Sequence, residues 1–358
     1  MFKIFFLVVL LGSIIYSKKE RNKYLLICML TFLACLGLRH LVCFMDTIGY
    51  VKRFEQLSSM SIYSVAISME KDTFFYILSK IINQYISSNY SVWLFINGLI
   101  YVSALYLLLK KYSEDILVSL IVFGVLGFAY FAMTGMRQNL AMACTMTALY
   151  FLLEKKKILF LLFVLIATLF HKTSGIFVCL YFADMIPVNR KSLCFYTMIG
   201  LISIFSVQII MKNVIELNID NRFEWYNNQQ QGLNKSGLMQ QLIFLGSSLY
   251  MIGFKIETRT NRIFVVMSII GITLQAMSYA IAEMFRLSMY FSIVYILFFA
   301  NSLKYYVSRF SKSNIRFLAI IVLSLYFVTS KNTGFLKDYY FFWQKPSIEV
   351  YEELYYEY

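Results

Sequence analysis

Residues 116–132 read ILVSLIVFGVLGFAYFA, a run of seventeen positions without a charged side chain. In lipid every backbone N–H and C=O must be paired within the segment itself, so such a run predicts a helix. A helix rises about 1.5 Å per residue and about 20 residues cross the hydrocarbon core, so this run is close to the length of one span. Blocks of similar length and composition recur along the chain.

The composition agrees with this interpretation. Hydrophobic residues make up 60% of the 358 positions, charged residues 15% and aromatic residues 18%. A soluble domain of this size has too small a core to bury that apolar surface. Only Pro187 and Pro346 occur, and neither interrupts a long apolar block, so the spans are expected to be largely unbroken helices. We therefore predict an all-α polytopic membrane protein.

The apolar blocks give about 10–12 transmembrane helices. The count is open because the short blocks between 158 and 186 suit either a tight helical pair or a partial crossing. Residues 1–16 are interpreted as a retained first span, since no small-residue cleavage site follows them. The predicted spans are 2–16, 24–38, 92–109, 116–132, 139–153, 158–170, 174–186, 192–211, 238–254, 263–281, 285–303 and 317–330.

Basic residues give the orientation, because Lys and Arg in short loops stay on the cytoplasmic side. They cluster in alternate loops, so the net charge of +14 is explained by topology rather than by nucleic-acid binding. The clusters are Lys18, Lys19, Arg21 and Lys23; Lys110 and Lys111; Lys155, Lys156 and Lys157; Arg190 and Lys191; Lys255, Arg259 and Arg262; and Lys304, Arg309, Lys312 and Arg316.

This orientation predicts that both termini lie outside. Residues 1–330 are expected to form a single transmembrane domain with outer loops at 39–91 and 212–237. Residues 331–358 are expected to form an outer tail rich in aromatic and acidic residues.

The first candidate site residues are Arg137 and Gln138, which begin a helix that is followed by small residues. An arginine at a membrane boundary either lies among lipid headgroups or pairs with an anion. Because the positive-inside bias disfavours Arg137 on the outer side, an anionic partner is expected there.

A second group follows the second predicted span. Arg39 comes directly after it, and Asp46, Tyr50 and Phe54 then repeat every four residues, which aligns them on one face of a short helix. A carboxylate and a phenol on one face suit proton abstraction or hydroxyl recognition. An ordinary amphipathic surface turn is the alternative.

Two further groups lie near predicted outer helix ends. His171 and Lys172 stand in a tight connection, where an imidazole can cap a helix, transfer a proton or bind phosphate. Arg286 and Tyr290 share a helix face, although Glu283 is also spaced to pair with Arg286.

Six cysteines and two histidines show no metal-ligand spacing, so neither a metal nor another cofactor is expected.

These motifs together resemble the EpsG-type polysaccharide polymerases of the broader Wzy class. The resemblance rests on Arg39 with Asp46 and Tyr50, Gly135-x-Arg137-Gln138, His171-Lys172-x-Ser174, and Arg286 with Tyr290. It implies a membrane-embedded glycosyltransferase, similar to the GT-C architecture, in the bacterial cytoplasmic membrane with its active site facing outward.

The substrates implied are polyprenyl-diphosphate-linked oligosaccharides, with one as donor and one as acceptor. Asp46 or His171 is expected to accept a proton, with inversion at the anomeric carbon. Arg137 is expected to stabilise the departing diphosphate without a metal. Arg39, Tyr50, Gln138, Lys172, Arg286 and Tyr290 are expected to bind diphosphate or sugar. A chain-length regulator protein is a further possible partner.

The alternatives are a lipid-linked oligosaccharide flippase or other transporter, and a membrane acyltransferase. A transporter is expected to carry charges within its spans and detectable sequence halves, and an acyltransferase a histidine within a span. Neither pattern is visible in the sequence.

The orientation predicts which engineered cysteines a membrane-impermeant thiol reagent reaches in intact cells. In a background without native cysteines, Thr173→Cys should be labelled from outside and Lys156→Cys only after the membrane is permeabilised. Labelling of position 156 in intact cells would reverse the predicted orientation.

Overall fold

The structure is a computed structural model that describes residues 2–16, 18–69, 72–189, 236–278, 281, 284–329 and 339–345, and the single positions 192, 195, 198, 202 and 206. Within these residues the secondary structure is helical, apart from one isolated antiparallel bridge between Arg39 and Phe341. The all-α membrane fold predicted from the sequence is confirmed.

Within the described stretches 18–69, 72–189 and 236–278 the helices are joined by short connections. Their bounds are α1 (Phe2–Ile15), α2 (Arg21–Gly37), α3 (Met45–Gln56), α4 (Ile62–Ser68), α5 (Thr73–Tyr85), α6 (Tyr90–Tyr112), α7 (Ile116–Val125), α8 (Phe128–Thr134), α9 (Met136–Leu153) and α10 (Lys157–Phe170), then a 3₁₀-helical segment (Lys172–Met185), α11 (Ser236–Met251), α12 (Arg259–Met277), α13 (Met284–Ser292), α14 (Tyr295–Phe310) and α15 (Ser313–Thr329).

Side-chain caps explain where several of these helices begin. The first backbone N–H groups of a helix have no partner within it, so a polar side chain just before the helix is stabilising. Asn89 accepts a hydrogen bond from Ser91 N at the start of α6, and Asp115 accepts one from Val118 N at the start of α7.

Fewer helices have the length of a full span than the sequence predicts. Three described helical stretches are long and apolar enough to cross a membrane, namely 90–112, 259–277 and 284–310, or four if the bent pair α7–α8 counts as one span. Several of the predicted 10–12 transmembrane helices, such as 158–170, are themselves shorter than a full span, and the described residues contain three or four helices of full length. Among the shorter helices, α1, α10 and α15 are apolar but have only 10–17 residues.

The apolar run 116–132 is not the unbroken helix that the sequence predicts. It forms α7 and α8, which are bent by 59° relative to each other. Gly127 lies at the break with a φ of 77°, a left-handed conformation that glycine adopts without a steric cost. The expectation of an uninterrupted span is wrong here, because glycine as well as proline can end a helix.

The predicted outer loop 39–91 folds largely into α3, α4 and α5. Phe54 of α3 stacks on Trp93 of α6 with ring centroids 4.7 Å apart, and the Trp93 indole N–H donates to Ser79 Oγ of α5 at 3.1 Å. These contacts fix α3 and α5 against α6. The other predicted loop, 212–237, and the predicted span 192–211 lie mostly outside the described residues.

The chain divides into two compact units, one formed by Met1–Gly175 and Leu318–Tyr358, the other by Ile176–Phe317. In the first unit α2 and α6 approach closely. A Cβ at Gly37 would lie 2.6 Å from a ring carbon and 2.8 Å from the Cα of Phe95, and one at Gly98 would lie 3.0 Å from the Cβ of Leu36. Small residues permit this distance, as is typical of membrane helix pairs.

Also in the first unit, α9 and α10 pack as an antiparallel hairpin. The connection at its tip carries Lys155 and Lys156, whereas Arg137 and His171 lie at the open end. With 18 residues, α9 separates the two ends by roughly 27 Å.

The second unit contains a buried polar connection between α11, α12 and α13. Gln241 Nε2 donates to Ser288 Oγ at 3.0 Å, and Ser288 Oγ donates to the carbonyl of Gly271 at 2.8 Å. Because each donor reaches an acceptor away from water, these bonds fix how the three helices pack.

Large apolar side chains also point outward. Ile14 and Ile15 of α1, Phe317 of α15 and Ile158 of α10 are exposed, Ile158 to 84%. Because water penalises such surface while lipid does not, this pattern fits a chain that is surrounded by lipid.

Substitution of Gly37 tests the close packing of α2 and α6. Gly37→Ala should lower stability by about 1–3 kcal/mol, because its Cβ meets the Phe95 backbone, which cannot move aside. Thermal unfolding of the detergent-solubilised protein, followed by size-exclusion chromatography, measures the change. Gly49→Ala on α3 is the matched control, since nothing lies within 4 Å of its Cβ. Equal unfolding temperatures for wild type and Gly37→Ala would contradict the packing.

Candidate functional site

Arg137 lies in the first turn of α9, directly after the α8–α9 connection. Its Nη1 donates to Asp72 Oδ2 at 3.0 Å, and its Nε donates to the Tyr50 hydroxyl at 3.3 Å. The guanidinium carbon lies 5.8 Å from the centre of the Tyr50 ring, within the range of a cation–π contact. The anionic partner expected for Arg137 is thus present in the protein itself.

His171 follows the last residue of α10 and occupies the cap position there. Its carbonyl accepts hydrogen bonds from Ser174 N at 3.0 Å and Ser174 Oγ at 2.8 Å, which hold the backbone of the turn. Its Nδ1 lies 3.0 Å from Asp72 Oδ2. Because an ionised carboxylate can only accept, Nδ1 carries the proton of this bond.

Asp72 therefore connects the other two residues, and its side chain is only 6% exposed. It directly precedes α5 with a φ of 54°, a left-handed conformation that aspartate tolerates better than most residues. Its Oδ1 also accepts a hydrogen bond from the backbone N–H of Lys172 at 3.3 Å. Tyr50, Asp72, Arg137 and His171 are called the Asp72 cluster below.

Electrostatics keeps Asp72 ionised. Burial raises the pKa of the Asp72 carboxyl. The hydrogen bond from His171 and the positive charges of His171 and Arg137 outweigh burial, so the pKa lies below its ordinary value. With a neutral imidazole, the carboxylate and the guanidinium balance each other.

The arrangement orients an imidazole. When the imidazole of His171 is neutral, the carboxylate keeps its proton on Nδ1, and Nε2 then carries a lone pair that can accept a proton. A carboxylate plays the same orienting part for histidine bases in unrelated enzymes. Arg137 holds the carboxylate from a second direction, through its Nη1.

The other sequence-predicted residues of this unit lie outside the Asp72 cluster. Asp46 is on α3, as is Tyr50, so the predicted short helix exists, but its side chain is exposed and does not join the cluster. Gln138 is buried, whereas the Lys172 side chain is exposed.

Arg39 is 2% exposed, and its guanidinium donates to the carbonyl of Leu36. Burial lowers its pKa to about 10. The segment 339–345 covers this region, with His40 N donating to Tyr340 O at 2.8 Å and Phe342 N donating to Leu38 O at 2.9 Å.

Arg286 and Tyr290 both belong to α13 in the second unit. Arg286 is exposed, with its guanidinium carbon 5.8 Å from the centre of the Phe285 ring, and Tyr290 is fully buried. Glu283, the alternative partner of Arg286, lies outside the described residues. Among the residues that the structure describes, no group of three or more His, Cys, Asp or Glu side chains could hold a metal ion.

Asp72 was missed by the reasoning from sequence. An aspartate directly before an apolar helix is usually interpreted as a helix cap. Here its side chain makes no cap hydrogen bond and reaches Arg137 instead. Asp72 pairs with a residue 65 positions away, and such a pairing leaves no local pattern in the sequence. The one available signal was therefore an aspartate in front of α5 for which the sequence offered no partner.

The fold and the site define an all-α membrane protein in which a buried carboxylate is shared by an arginine and a histidine at adjacent helix ends. A sequence model of the EpsG family matches residues 22–341, so the chain belongs to this family of EpsG- and Wzy-type polymerases. Family membership indicates a polysaccharide polymerase. No match was found among curated proteins or among solved structures.

Replacement of Asp72 tests the cluster. Asp72→Asn should destabilise the protein by about 1–3 kcal/mol at pH 7, because Arg137 and His171 lose their charged acceptor. The folded-state pKa of Asp72 lies below the ordinary 3.8, so its stabilisation is complete above pH 3.8 and is lost as the pH falls further. In detergent, the unfolding temperatures of wild type and variant should therefore differ at pH 7, and the difference should become smaller below pH 3.8.

Asp46→Asn is the matched control for that experiment, since it makes the same chemical change at an exposed aspartate outside the cluster. It should unfold like the wild type. A control that loses as much stability as Asp72→Asn would mean that the loss does not come from the cluster.

Proposed function

We propose that the protein is a glycosyltransferase that joins polyprenyl-diphosphate-linked oligosaccharide repeat units at the outer face of the cytoplasmic membrane. The observation that carries the proposal is the Asp72 cluster, in which one buried carboxylate holds both Arg137 and His171. Family membership supports the polymerase class, and the cluster supplies the groups that the transfer step needs.

In the proposed step a sugar hydroxyl of the acceptor attacks the anomeric carbon of the donor. The new C–O bond forms as the C–O bond to the diphosphate breaks, and the diphosphate leaves with the electron pair. His171 Nε2 takes the proton of the attacking hydroxyl, and attack from the opposite side inverts the anomeric carbon. Asp72 stabilises the imidazolium that forms.

Arg137 would stabilise the negative charge that grows on the diphosphate. Its guanidinium is already held by Tyr50 and Asp72, so little reorganisation is needed as charge develops. The positive charge of Arg137 is therefore proposed to act without a metal ion.

His171 is preferred over Asp46 as the base because a carboxylate orients its ring, whereas Asp46 is exposed on α3. The substrate-binding roles of Arg39, Gln138, Lys172, Arg286 and Tyr290 remain predictions, as does a partner that regulates chain length. The outward orientation follows from the basic loops and also remains a prediction.

The proposal predicts that Arg137→Lys loses most polymer formation. A lysine ammonium is a point charge that cannot bind Tyr50, Asp72 and a phosphate oxygen in the same fixed geometry. Purified protein in lipid vesicles, supplied with polyprenyl-diphosphate-linked repeats, would be assayed for lengthened products by mass spectrometry. Arg53→Lys is the matched control, because Arg53 is exposed on α3, and it should retain activity.

The same assay tests whether His171 or Asp46 is the base, and whether the protein is a polymerase or a flippase. His171→Asn should abolish transfer, while His40→Asn, which alters the only other histidine, should not. Loss of activity in Asp46→Asn with retention in His171→Asn would move the role of base to Asp46. Wild-type protein that moves the lipid-linked repeat across the vesicle membrane without lengthening it would support a flippase instead.

A further inference from the structure

One cavity of the first unit is separate from the Asp72 cluster. It has a volume of about 20 Å³ and lies between α2, α6, α8 and α9. Its polar lining consists of Arg39, Asn97, Tyr101 and Asn139, and the remaining lining is apolar apart from one glycine. No member of the Asp72 cluster lines it.

Each of the four polar side chains presents a buried atom that no described residue satisfies. These atoms are Arg39 Nε, Asn97 Oδ1, Tyr101 Oη and Asn139 Oδ1. The side chains are 2%, 8%, 2% and 6% exposed in that order, so bulk water does not reach them freely. Buried polar groups in native proteins are almost always hydrogen-bonded, so four such atoms around one cavity indicate a common partner.

The orientation of the two amides is fixed by their other contacts. Asn97 Nδ2 donates to the carbonyl of Trp93 at 2.7 Å, and Asn139 Nδ2 donates to the carbonyl of Ala132 at 2.9 Å. Turning either amide over would place its oxygen against a carbonyl oxygen, which is repulsive. Asn97 and Asn139 are therefore acceptors toward the cavity.

The donors and acceptors of the cavity select the chemistry of its occupant. A carboxylate has no proton for the two amide oxygens, a phosphate is too large for a cavity of about 20 Å³, and a cation is repelled by the Arg39 guanidinium. The occupant must donate two hydrogen bonds, to Asn97 and Asn139, and accept one from Arg39. The Tyr101 hydroxyl can donate a fourth hydrogen bond to the occupant.

We propose that this cavity binds one water molecule, held by Arg39, Asn97, Tyr101 and Asn139. Water has two donors and two acceptors, so it matches all four groups. The volume of the cavity also fits one water molecule, because a single water needs about 10–15 Å³. A sugar ring would not fit.

The water would connect two parts of the chain that are distant in sequence. Asn139 stands two residues after Arg137 in the first turns of α9, and Arg39 follows the end of α2. Through the water, Arg39 would help to hold the turn that positions Arg137. If the proposed function holds, Arg39 would act as a positioning residue through α9, in place of the diphosphate contact expected from the sequence.

X-ray radiolytic footprinting tests the site, because a short pulse splits bound water and the radicals oxidise side chains that touch it. The experiment uses the full-length protein in lipid nanodiscs, equilibrated with ¹⁸O-water. Met136, which lines the cavity and is 3% exposed, should be oxidised and should carry ¹⁸O. Met146, 0% exposed on the same helix and away from the cavity, is the matched control and should remain unmodified.

Variants test whether the water held by these side chains is the source of the oxidation at Met136. Asn97→Leu/Asn139→Leu removes both acceptors with side chains of similar shape, and oxidation of Met136 should fall to the level of Met146. Tyr101→Phe removes one of four bonds and should leave oxidation of Met136 detectable, since three partners are usual for a buried water.

Three outcomes would overturn the proposal. The first is an unmodified Met136 in the wild type, and the second is equal modification of Met136 and Met146. The third is protection of Met136 by inorganic pyrophosphate, which would indicate an anion site. The comparison within the wild type remains decisive even if the double variant fails to fold.

Discussion

The carboxylate of Asp72 is the constraint on which the arrangement of the first unit depends. A buried charge is costly unless it is paired and hydrogen-bonded, so Arg137, His171 and the backbone N–H of Lys172 must all reach the same side chain. The start of α5, the start of α9 and the end of α10 are thereby held together. The Tyr50 contact adds α3 to this junction.

The α9–α10 hairpin separates two kinds of charge. At its tip lie Lys155, Lys156 and Lys157, one of the basic clusters from which the orientation is predicted. At its open end Arg137 and His171 meet Asp72 and are held in place. Lys155 and Lys156 at the tip are exposed, whereas Arg137 in the site is partly buried and paired. In a chain with a net charge of +14, the paired environment of Arg137 thus distinguishes it from the exposed lysines of the tip.

Local patterns in the sequence predicted the helical class, the short helix that carries Asp46 and Tyr50, and both Arg137 and His171. Each of these depends on residues within a few positions of one another. The break at Gly127 was missed because one glycine in an apolar run has the same sequence signal whether its φ is negative or positive. Asp72 was missed because its partners lie 65 and 99 residues away. Contacts at that separation are set by how helices pack, which a single sequence does not display.

Arg39 and Arg137 each stand at a helix end on the predicted outer side, where Arg137 is expected to stabilise the departing diphosphate and Arg39 to bind diphosphate or sugar. The structure gives them different partners. Arg137 is 31% exposed and is held by a carboxylate and a phenol, so its charge is oriented and still accessible. Arg39 is enclosed, and the groups that share its cavity are neutral dipoles. A guanidinium held beside an accessible surface can respond to charge that develops on a substrate. The enclosed guanidinium of Arg39 donates to the carbonyl of Leu36 and belongs to the packing of the fold. Our proposals therefore distinguish the two arginines by their partners rather than by their positions in the sequence.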